Sequence, residues 1–411
     1  MIAQILPLLV SVASRARGVL ALMLVPLALP SARAQVAAQS PSPAAQAYNA
    51  ALADYKAGAA RYPAARAGFE RACDLGALAG CFNFAQMLST GQGGPAEPPR
   101  ARTIFGKACT GNYFDACVNL ATMLQNGSGG PANLLEARNL LTRGCDGNHA
   151  LSCHNLAVAV ALGRGGPVDL PRARTLYGKG CDGGYARSCR TLGSMVQSGE
   201  GGAVDLPRAR SLFDKACKAE DLDGCAGLAS LLTDGKGGPA DQVEARTLLT
   251  KGCYRNHALS CHNLAVALAL GRGGAVDLAG ARPLYAKACD TGYALSCRNL
   301  GRMWVAGEGG PADTVKARAL YAKACDGGNA LGCGEFGLSL ARGVGGPAEP
   351  ARARTVLAKA CDGDSSDACN NLAVMTQLGQ GGPADRARAK TLFEKACKLG
   401  NKTACTSASA L

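Results

Sequence analysis

The sequence predicts an all-α solenoid of about ten helix–turn–helix repeats, each 36 residues long. Three observations support this prediction: a fixed period, an amphipathic helical pattern on both sides of each turn, and a glycine signal between repeats. The period is set by 20 cysteines, which form ten C-x7-C pairs, each pair 36 residues after the last. Self-similarity at a period of about 20 to 50 residues indicates a stack of small units. We therefore expect one elongated domain and not a conventional globular enzyme.

The first helix of each repeat, helix A, is illustrated by the segment that starts at Asp169. An acceptor side chain at Asp169 and a proline at Pro171 predict the N-cap and the first turn. Apolar or small residues then recur at helical spacing, at Ala173, Leu176, Tyr177, Gly180 and Cys181. Equivalent N-cap residues stand at Glu97, Asn133, Asp169, Asp205, Asp241, Asp277, Asp313, Glu349 and Asp385.

The second helix, helix B, follows a polar turn that contains glycine. Its apolar stripe is Cys189, Leu192, Gly193 and Val196, and it ends at the G-x-G-G motif of Gly199. Glycine there supplies a left-handed C-cap and the return to the next helix A. The motif starts again at Gly91, Gly127, Gly163, Gly199, Gly235, Gly271, Gly307, Gly343 and Gly379.

The cysteines fall in the last turn of helix A and the first turn of helix B, where a short loop brings two antiparallel helix ends together. A disulfide there would hold the hairpin closed, and in an oxidising compartment an even number of regularly paired cysteines indicates disulfides. We expect ten pairs: Cys73 with Cys81, Cys109 with Cys117, Cys145 with Cys153, Cys181 with Cys189, Cys217 with Cys225, Cys253 with Cys261, Cys289 with Cys297, Cys325 with Cys333, Cys361 with Cys369, and Cys397 with Cys405.

Residues 1–34 have the pattern of an export signal, with two arginines, an apolar run and the small residues of a cleavage site before Gln35. An uncleaved anchor is the alternative, but the run is short and Pro26 interrupts it. Residues 35–46 form a flexible Ala/Ser/Pro tether, and 47–411 form the solenoid, with an extra capping helix over 47–58 and an incomplete last helix B. The mature chain is thus expected in the periplasm or outside the cell, with no membrane span.

The repeat unit resembles the Sel1-like repeat, a relative of the tetratricopeptide repeat. The resemblance rests on Ala317-Arg-Ala-Leu-Tyr-Ala-Lys-Ala-Cys325, Cys369-Asn-Asn-Leu-Ala373 and Gly379-Gln-Gly-Gly-Pro-Ala-Asp385, and it covers roughly residues 50–411. Because the chain also has paired cysteines and an export signal, it resembles more specifically the secreted, cysteine-rich Sel1-like proteins of the Helicobacter type. This resemblance implies a right-handed α/α superhelix with one disulfide per repeat, a role in binding partners and, for some members, penicillin binding with slow β-lactam hydrolysis.

All four histidines belong to a block that occurs twice, since residues 148–159 recur unchanged at 256–267. His149, His154, His257 and His262 stand in the pattern C-x3-H-x3-C-H, which would suit zinc only if the thiols were reduced. The motifs S-x-x-K, G-x-S-x-G, H-E-x-x-H and G-x-x-x-x-G-K are absent from the chain. Hydrolysis would need an unconventional site, such as the serines before helix B, which we predict to be helix caps: Ser152, Ser188, Ser260 and Ser296.

Residues that differ between repeats are the best candidates for ligand contact, because fixed positions are explained by shared packing. One such position, four residues after the first cysteine of a pair, supplies Tyr113, Tyr185 and Tyr293. The other, directly after the second cysteine, supplies His154 and His262. An asparagine ladder, whose amides can bond a peptide backbone in both directions, or else their own turn, consists of Asn83, Asn119, Asn155, Asn263, Asn299 and Asn371. An arginine ladder on helix A, starting at Arg66, would hold an anionic ligand or pair with the acidic N-caps.

These features predict an exported scaffold that binds peptides or proteins on its curved face without covalent chemistry or a cofactor. The net charge of +14 makes anionic or cell-wall partners plausible, and no nucleic-acid partner is expected. A penicillin-binding protein with weak β-lactamase activity is the alternative that the family resemblance implies. Metal binding by the histidine-containing repeats is the third.

Overall fold

The computed structural model describes residues 41–411, and within them every regular element is helical. The predicted signal peptide and most of the predicted tether lie outside the described residues. Helix α1 (Pro43–Lys56) starts inside the predicted tether, so residues 43–46 of that segment are helical. The extra N-terminal helix is therefore present and longer than predicted. A single 3₁₀ turn (Ala59–Arg61) connects it to the first repeat.

Ten helical hairpins follow, and we number the repeats 1 to 10 in chain order. The A helices are α2 (Tyr62–Asp74), α4 (Pro98–Thr110), α6 (Leu134–Asp146), α8 (Leu170–Asp182), α10 (Leu206–Lys218), α12 (Gln242–Tyr254), α14 (Leu278–Asp290), α16 (Thr314–Asp326), α18 (Pro350–Asp362) and α20 (Arg386–Lys398). The B helices are α3 (Leu78–Thr90), α5 (Phe114–Asn126), α7 (Ala150–Ala161), α9 (Ala186–Ser198), α11 (Leu222–Asp234), α13 (Ala258–Ala269), α15 (Ala294–Ala306), α17 (Ala330–Arg342), α19 (Ser366–Gln377) and α21 (Lys402–Ser409).

Each helix packs against the one before it and the one after it, and successive B helices also pack side by side, as in α9 with α11 and α15 with α17. The B helices therefore lie on the inner side of the stack, and we call the surface that they form the B face. Close packing depends on small residues. The alanine that starts each A-R motif is almost fully buried, at Ala65, Ala101, Ala137, Ala173, Ala209, Ala245, Ala281, Ala317 and Ala353, as is Ala389.

The loop that returns from helix B to the next helix A explains the G-x-G-G motif. Gly199 ends α9 in the left-handed conformation at φ 83°, as predicted. Gly201 lies against the start of α8, where a Cβ atom would come within 2.5 Å of the Leu170 carbonyl oxygen. Glycine is required there because both its φ of 70° and this close approach exclude a side chain.

The arginine ladder holds this loop in place. Arg174 donates to the Ala203 carbonyl oxygen at 3.0 Å, 29 residues along the chain. The same bond, to the residue after G-x-G-G, is made by Arg66, Arg102, Arg210, Arg282, Arg318 and Arg354. The ladder is therefore part of the scaffold, where its guanidinium groups bond the chain itself.

The acidic ladder at the start of helix A acts mainly as predicted. Asp205, for example, accepts from the Arg208 backbone N–H at 3.0 Å, and Asn133 and five further aspartates make the same capping bond. Glu97 and Glu349 make no capping bond and instead pair with Arg66 and Arg318. The longer glutamate side chain reaches an arginine of the preceding helix A, and its carboxylate also pairs with Arg100 or Arg352 of its own helix.

All ten predicted disulfides are present, each closing the turn between helix A and helix B of one repeat. The bonded pairs are Cys73 with Cys81, Cys109 with Cys117, Cys145 with Cys153, Cys181 with Cys189, Cys217 with Cys225, Cys253 with Cys261, Cys289 with Cys297, Cys325 with Cys333, Cys361 with Cys369, and Cys397 with Cys405. No cysteine in residues 41–411 is free. Every repeat is thus closed by its own covalent bond, and no disulfide joins two repeats.

The lysine of the K-A-C motif adds a bond between repeats. Lys287 and Lys395 each donate to the carbonyl oxygen of the first cysteine of the preceding repeat, at 2.7 Å. Contacts of this kind connect one hairpin to the next without a covalent link. Over the described residues, no helix is long and apolar enough to cross a membrane.

The buried apolar residues do not form one continuous core. One cluster extends from Ala51 to Ala288, and another from Ala317 to Ala408. Between them, around α14, α15 and α16, the apolar packing is divided into two small clusters. The interruption falls at repeats 7 and 8.

Candidate binding face

The asparagine ladder lies half-buried on the B face, two residues after the second cysteine of each hairpin. None of its members bonds its own turn, which was the alternative to a binding role. The Asn83 amide donates to the Tyr48 hydroxyl at 3.3 Å, and Asn299 is hydrogen-bonded to Tyr285. Among residues 41–411, no hydrogen-bond partner is found for the side chains of Asn119, Asn155, Asn263 and Asn371. An unpaired amide that reaches solvent can bond an added peptide backbone.

Clefts between neighbouring repeats open on this face, and several contain a ladder asparagine. Asn83 lines a cleft of about 110 Å³ together with side chains of α1, and Asn263 lines another of about 130 Å³. Asn299 lines a larger cleft of about 530 Å³ that spans repeats 6 to 8. The clefts place the ladder amides next to apolar side chains of the adjacent repeat. This combination suits an extended peptide, which needs both backbone partners and pockets for side chains.

The predicted histidines and tyrosines meet where one repeat packs on the next, and we call each of these side-chain contacts a joint. His154 of repeat 3 contacts two rings of repeat 4, Tyr177 and Tyr185, at centroid distances of 5.4 Å and 4.9 Å. Its Nδ1 atom is 2.9 Å from the Ser188 Oγ atom. Because the imidazole is only 7% exposed, burial lowers the His154 pKa to about 4, with the nearby Arg187 and Arg190 adding to the effect.

The second copy of the block repeats this joint. His262 contacts Tyr285 and Tyr293 at 5.5 Å and 4.9 Å, and its Nδ1 atom is 2.7 Å from the Ser296 Oγ atom. Burial again lowers the His262 pKa to about 4. The equivalent joint between repeats 1 and 2 is built from Phe82, Phe105 and Tyr113.

These joints leave the candidate residues unequally placed for a ligand. The two histidines are almost fully buried and serve the packing between repeats, whereas Tyr113, Tyr185 and Tyr293 stay half-buried at the helix B N-caps. Ligand contact by the tyrosines remains a prediction. The two variable positions were identified separately in the sequence, and the structure shows that they face each other across a joint.

The predicted serine caps were wrong, because each serine is the third residue of its B helix and not its N-cap. The N-caps are His149, Tyr185, His257 and Tyr293. Ser152, Ser188, Ser260 and Ser296 all have an exposed fraction of 0%. Gly144 and Gly252 make room for Ser152 and Ser260, since a Cβ at either glycine would lie 2.2–2.3 Å from the serine Oγ atom.

Two of these serines take part in a hydrogen-bonded Ser–His–Asp arrangement. The His257 Nδ1 atom is 2.8 Å from Ser260 Oγ, and its Nε2 atom is 3.0 Å from Asp223 Oδ1. His149 lies in the same way between Ser152 and Asp115. Residue types alone would suggest a catalytic triad, but the nucleophile must reach an external carbonyl. With both hydroxyls fully buried beneath helix A, the arrangement connects the side chains of two neighbouring repeats.

The fold also separates the candidate metal ligands of the pattern C-x3-H-x3-C-H. Its cysteines are in disulfides, and its two histidines face opposite neighbours, His149 towards Asp115 of the preceding repeat and His154 towards Ser188 of the following one. Within residues 41–411, no group of three or more His, Cys, Asp or Glu side chains is arranged to hold a metal ion.

The geometry defines a protein class: an α-helical repeat scaffold, stapled by disulfides, with an open face of partly unpaired amides. The Sel1 repeat family model matches eight windows of 36 residues, of which seven follow one another without a gap and the eighth comes after a gap of one unit. The windows are 78–113, 114–149, 150–185, 186–221, 222–257, 258–293, 294–329 and 366–401. More than half of the chain is matched, so the chain belongs to the Sel1 repeat family. The family resemblance is thereby confirmed, and residues 330–365 are the internal unit left unmatched.

Two solved structures that are similar over most of this chain support the same fold. One is a protective antigen present in uropathogenic Escherichia coli strains, 21% identical, with a TM-score of 0.64 over 89% of this chain and 79% of that one. Another is a Sel1 repeat protein from Oxalobacter formigenes, 21% identical, with a TM-score of 0.58 over 76% and 93%. Helicobacter pylori cysteine-rich protein B is 27% identical over 32% of this chain and 94% of its own, with a TM-score of 0.27. None of the curated proteins matches the chain.

The family and the disulfides support two general conclusions. Sel1 repeats generally mediate protein–protein interactions, so the fold suits a protein-binding role. Ten intramolecular disulfides indicate an oxidising compartment, because a reducing one would keep the thiols free.

Proposed function

We propose that this protein is an exported scaffold that binds extended peptide segments of other proteins on its B face. The observation that carries the proposal is the asparagine ladder, four of whose half-buried amides lack a partner within residues 41–411 while they line an open face. Most arginines of the arginine ladder and all of the N-cap carboxylates make bonds within the scaffold, whereas four amides on the B face make none within residues 41–411.

The binding would be multivalent, because an equivalent amide occurs in six of the first nine repeats. Each site would contribute modestly, and the sum over several repeats would set the affinity. A rigid scaffold limits the ordering cost to the peptide, and the disulfides and buried joints keep the ladder in register.

Selection of binding peptides from a displayed random library tests this proposal. The oxidised protein should enrich peptides that bind the triple variant Asn119→Ala, Asn155→Ala, Asn263→Ala at least about tenfold more weakly, which corresponds to about 1.4 kcal/mol. The matched control is Thr103→Ala, Thr175→Ala, Thr247→Ala, three exposed threonines on A helices whose hydroxyls bond only their own helix. Equal weakening in both variants, or no enrichment on the wild type, would overturn the proposal.

We also propose that residues 1–34 are removed on export. The ten disulfides support this, since the oxidising compartments of a cell are reached by export. The intact mass of the protein recovered from its native cells, measured without reduction, is expected to match a chain that starts at Gln35 with every cysteine oxidised. A mass that still includes this N-terminal segment would refute cleavage.

A further inference from the structure

Two positions on the B face are uncharged in almost every repeat, and the exceptions lie next to each other. Two residues after the second cysteine, the first nine repeats have Asn83, Asn119, Asn155, Thr191, Gly227, Asn263, Asn299, Glu335 and Asn371. Five residues after it they have Gln86, Thr122, Val158, Ser194, Ser230, Val266, Arg302, Leu338 and Val374. Each position therefore carries a charge once, at Glu335 of repeat 8 and Arg302 of repeat 7.

The structure brings both charges into one cleft, of about 530 Å³, which we call the Arg302 cleft. Asn299 lies on its wall, and two aliphatic side chains on its rim, Leu270 and Val305, are 58% and 46% exposed. Glu308 lines the cleft as well. The cleft thus combines an amide, an apolar shelf and charges of both signs.

The Arg302 guanidinium is not used by the scaffold. Glu335 pairs with Arg298 at 3.3 Å, whereas Arg302 is exposed and has neither an ion pair nor a hydrogen bond within residues 41–411. Tyr321 also lines the cleft although it is only 4% exposed, and burial together with Glu335 raises its pKa to about 12, so its hydroxyl stays neutral. Arg302 is therefore available for an anionic group, and Glu335 and Glu308 limit the amount of negative charge that the cleft accepts.

Two independent features mark the same place in the stack. The apolar core is interrupted at repeats 7 and 8, and the family model passes over residues 330–365, whose helix α17 carries Glu335. Here the sequence departs from the repeat pattern at Arg302, for which no ion pair or hydrogen bond within residues 41–411 gives a structural reason. Variation of that kind is what a specific contact would require.

We propose that the Arg302 cleft binds a single carboxylate of an extended peptide, with the adjacent aliphatic side chain of that peptide on Leu270 and Val305. The carboxylate pairs with Arg302, and Asn299 and the Tyr321 hydroxyl provide hydrogen bonds beside it. This inference rests on the proposed function and identifies one position of the peptide. The carboxylate belongs either to an Asp or Glu side chain or to the C-terminus of the peptide.

Acetylated hexapeptide libraries, prepared as C-terminal amides and as free acids, test the inference on the full oxidised chain. Binding of each enriched peptide is followed by the fluorescence anisotropy of a dye attached to the peptide. We expect enriched peptides to carry one carboxylate beside an aliphatic residue. Binding by the amide library assigns the carboxylate to a side chain, and binding by the acid library alone assigns it to the C-terminus.

Charge reversal at Arg302 separates this inference from the proposed function. Arg302→Glu should weaken the selected peptides by about tenfold or more and shift the preference to Lys or Arg, since attraction becomes repulsion. Thr175→Glu is the control, because Thr175 is exposed on an A helix outside the B face and its hydroxyl bonds only its own helix; it should change affinity by less than about twofold. Selected peptides that bind Arg302→Glu normally would overturn the inference and leave the proposed function standing. If no peptide is enriched at all, both fall.

Discussion

The two copies of the duplicated block, in repeats 3 and 4 and in repeats 6 and 7, share their joints and differ on the B face. In the first copy His154 lies 5.4 Å and 4.9 Å from the two tyrosine rings, and in the second copy His262 lies 5.5 Å and 4.9 Å from the equivalent rings. The buried geometry was therefore retained as a unit. A joint constrains side chains from two repeats at once, so a change on one side alone would leave a cavity or an unpaired hydroxyl.

The exposed residues of the copies have diverged. Thr191 and Ser194 of the first copy correspond to Asn299 and Arg302 of the second. Ser194 lines a cleft of about 390 Å³ with Gly227 of the next repeat, whereas Arg302 lines its cleft with Glu335 at the position equivalent to Gly227. Ser194 and Arg302 are exposed, so this position can change without disturbing the stack. The comparison teaches that the joints maintain the scaffold and that the B face is where one repeat can differ functionally from another.

Acidification should weaken both joints to the same extent. The folded protein keeps both imidazoles neutral, with pKa values of about 4, whereas the unfolded chain protonates them below about pH 6.5. The unfolded state therefore binds more protons, and stability is lost as the pH falls from about 6.5 to about 4, by roughly 2 to 3 kcal/mol per histidine. Thermal denaturation followed by circular dichroism between pH 7.5 and 4 measures this loss.

The joint between repeats 1 and 2 supplies the control. The variant His154→Phe, Ser188→Ala, His262→Phe, Ser296→Ala reproduces the arrangement of Phe82 and Ala116 and removes both titrating groups. It should lose this part of the pH dependence while remaining helical. Variants that restore one joint at a time should each recover about half of it; a strongly unequal recovery would break the equivalence of the copies.

Trp304 of the second copy corresponds to Val196 of the first. Trp304→Val should lower the stability of the second copy, although the first copy already has valine at this position. Trp304 lies between two cations, with the Arg282 guanidinium carbon 3.2 Å and the Lys316 ammonium nitrogen 4.4 Å from the ring centroid. Val196 is fully buried instead, so valine at 304 would lose the ring contacts without gaining that burial. We expect a loss of about 2 kcal/mol.

Hydrogen exchange of helices α14 to α16 provides the measurement for this variant, because it reports stability locally. Faster exchange in these helices, with no change in α8 to α10, is the expected result. Val305→Ala on the same helix is the control, and its exposed side chain predicts little effect. Unchanged protection in Trp304→Val would show that the cation–ring contacts contribute nothing measurable.

Gly180→Ala should have the smallest effect on the free energy of unfolding, and it tests whether the joints of the two copies are equivalent. A Cβ at Gly180 would lie 2.5 Å from the Ser188 Oγ atom, yet the second copy has Ala288 opposite Ser296. The serine can therefore adjust, and alanine favours the helix by up to about 1 kcal/mol. Urea denaturation should show an unfolding free energy within about 1 kcal/mol of the wild-type value. A loss above about 2 kcal/mol, typical of an overpacked core, would show that the copies pack differently.

Much of the fold could be predicted because one period repeats ten times. The C-x7-C spacing placed both helices and all ten disulfides, and the N-cap prediction held for Asn133 and the aspartates. Glu97 and Glu349 also occupy the N-cap position but make no capping bond, because the choice between a cap and an ion pair depends on how close Arg66 and Arg318 come. The serine caps were wrong for a local reason: the chain enters helix B before it reaches the serine.

The candidate site was less predictable. The asparagine ladder could be recognised from its regular spacing in the sequence. Only the structure showed that these amides do not hydrogen-bond their own turn. Arg302 and Glu335 were missed, although comparing the repeats position by position would have shown them as isolated charges. The histidines were placed with the candidate ligand contacts, and their burial could not be read from a residue type that occurs on surfaces and in cores alike.

The sequence by itself determined the period, the helical hairpins, the disulfide pairs and the family, because these depend on residues close together in the chain and recur in each repeat. Tertiary structure alone decided which polar residues the scaffold uses. The arginine ladder bonds a loop 29 residues away, and the histidines and serines are buried by the repeat that stacks on them. Such contacts join neighbouring repeats, and their distances depend on how one hairpin packs on the next, which local spacing does not specify.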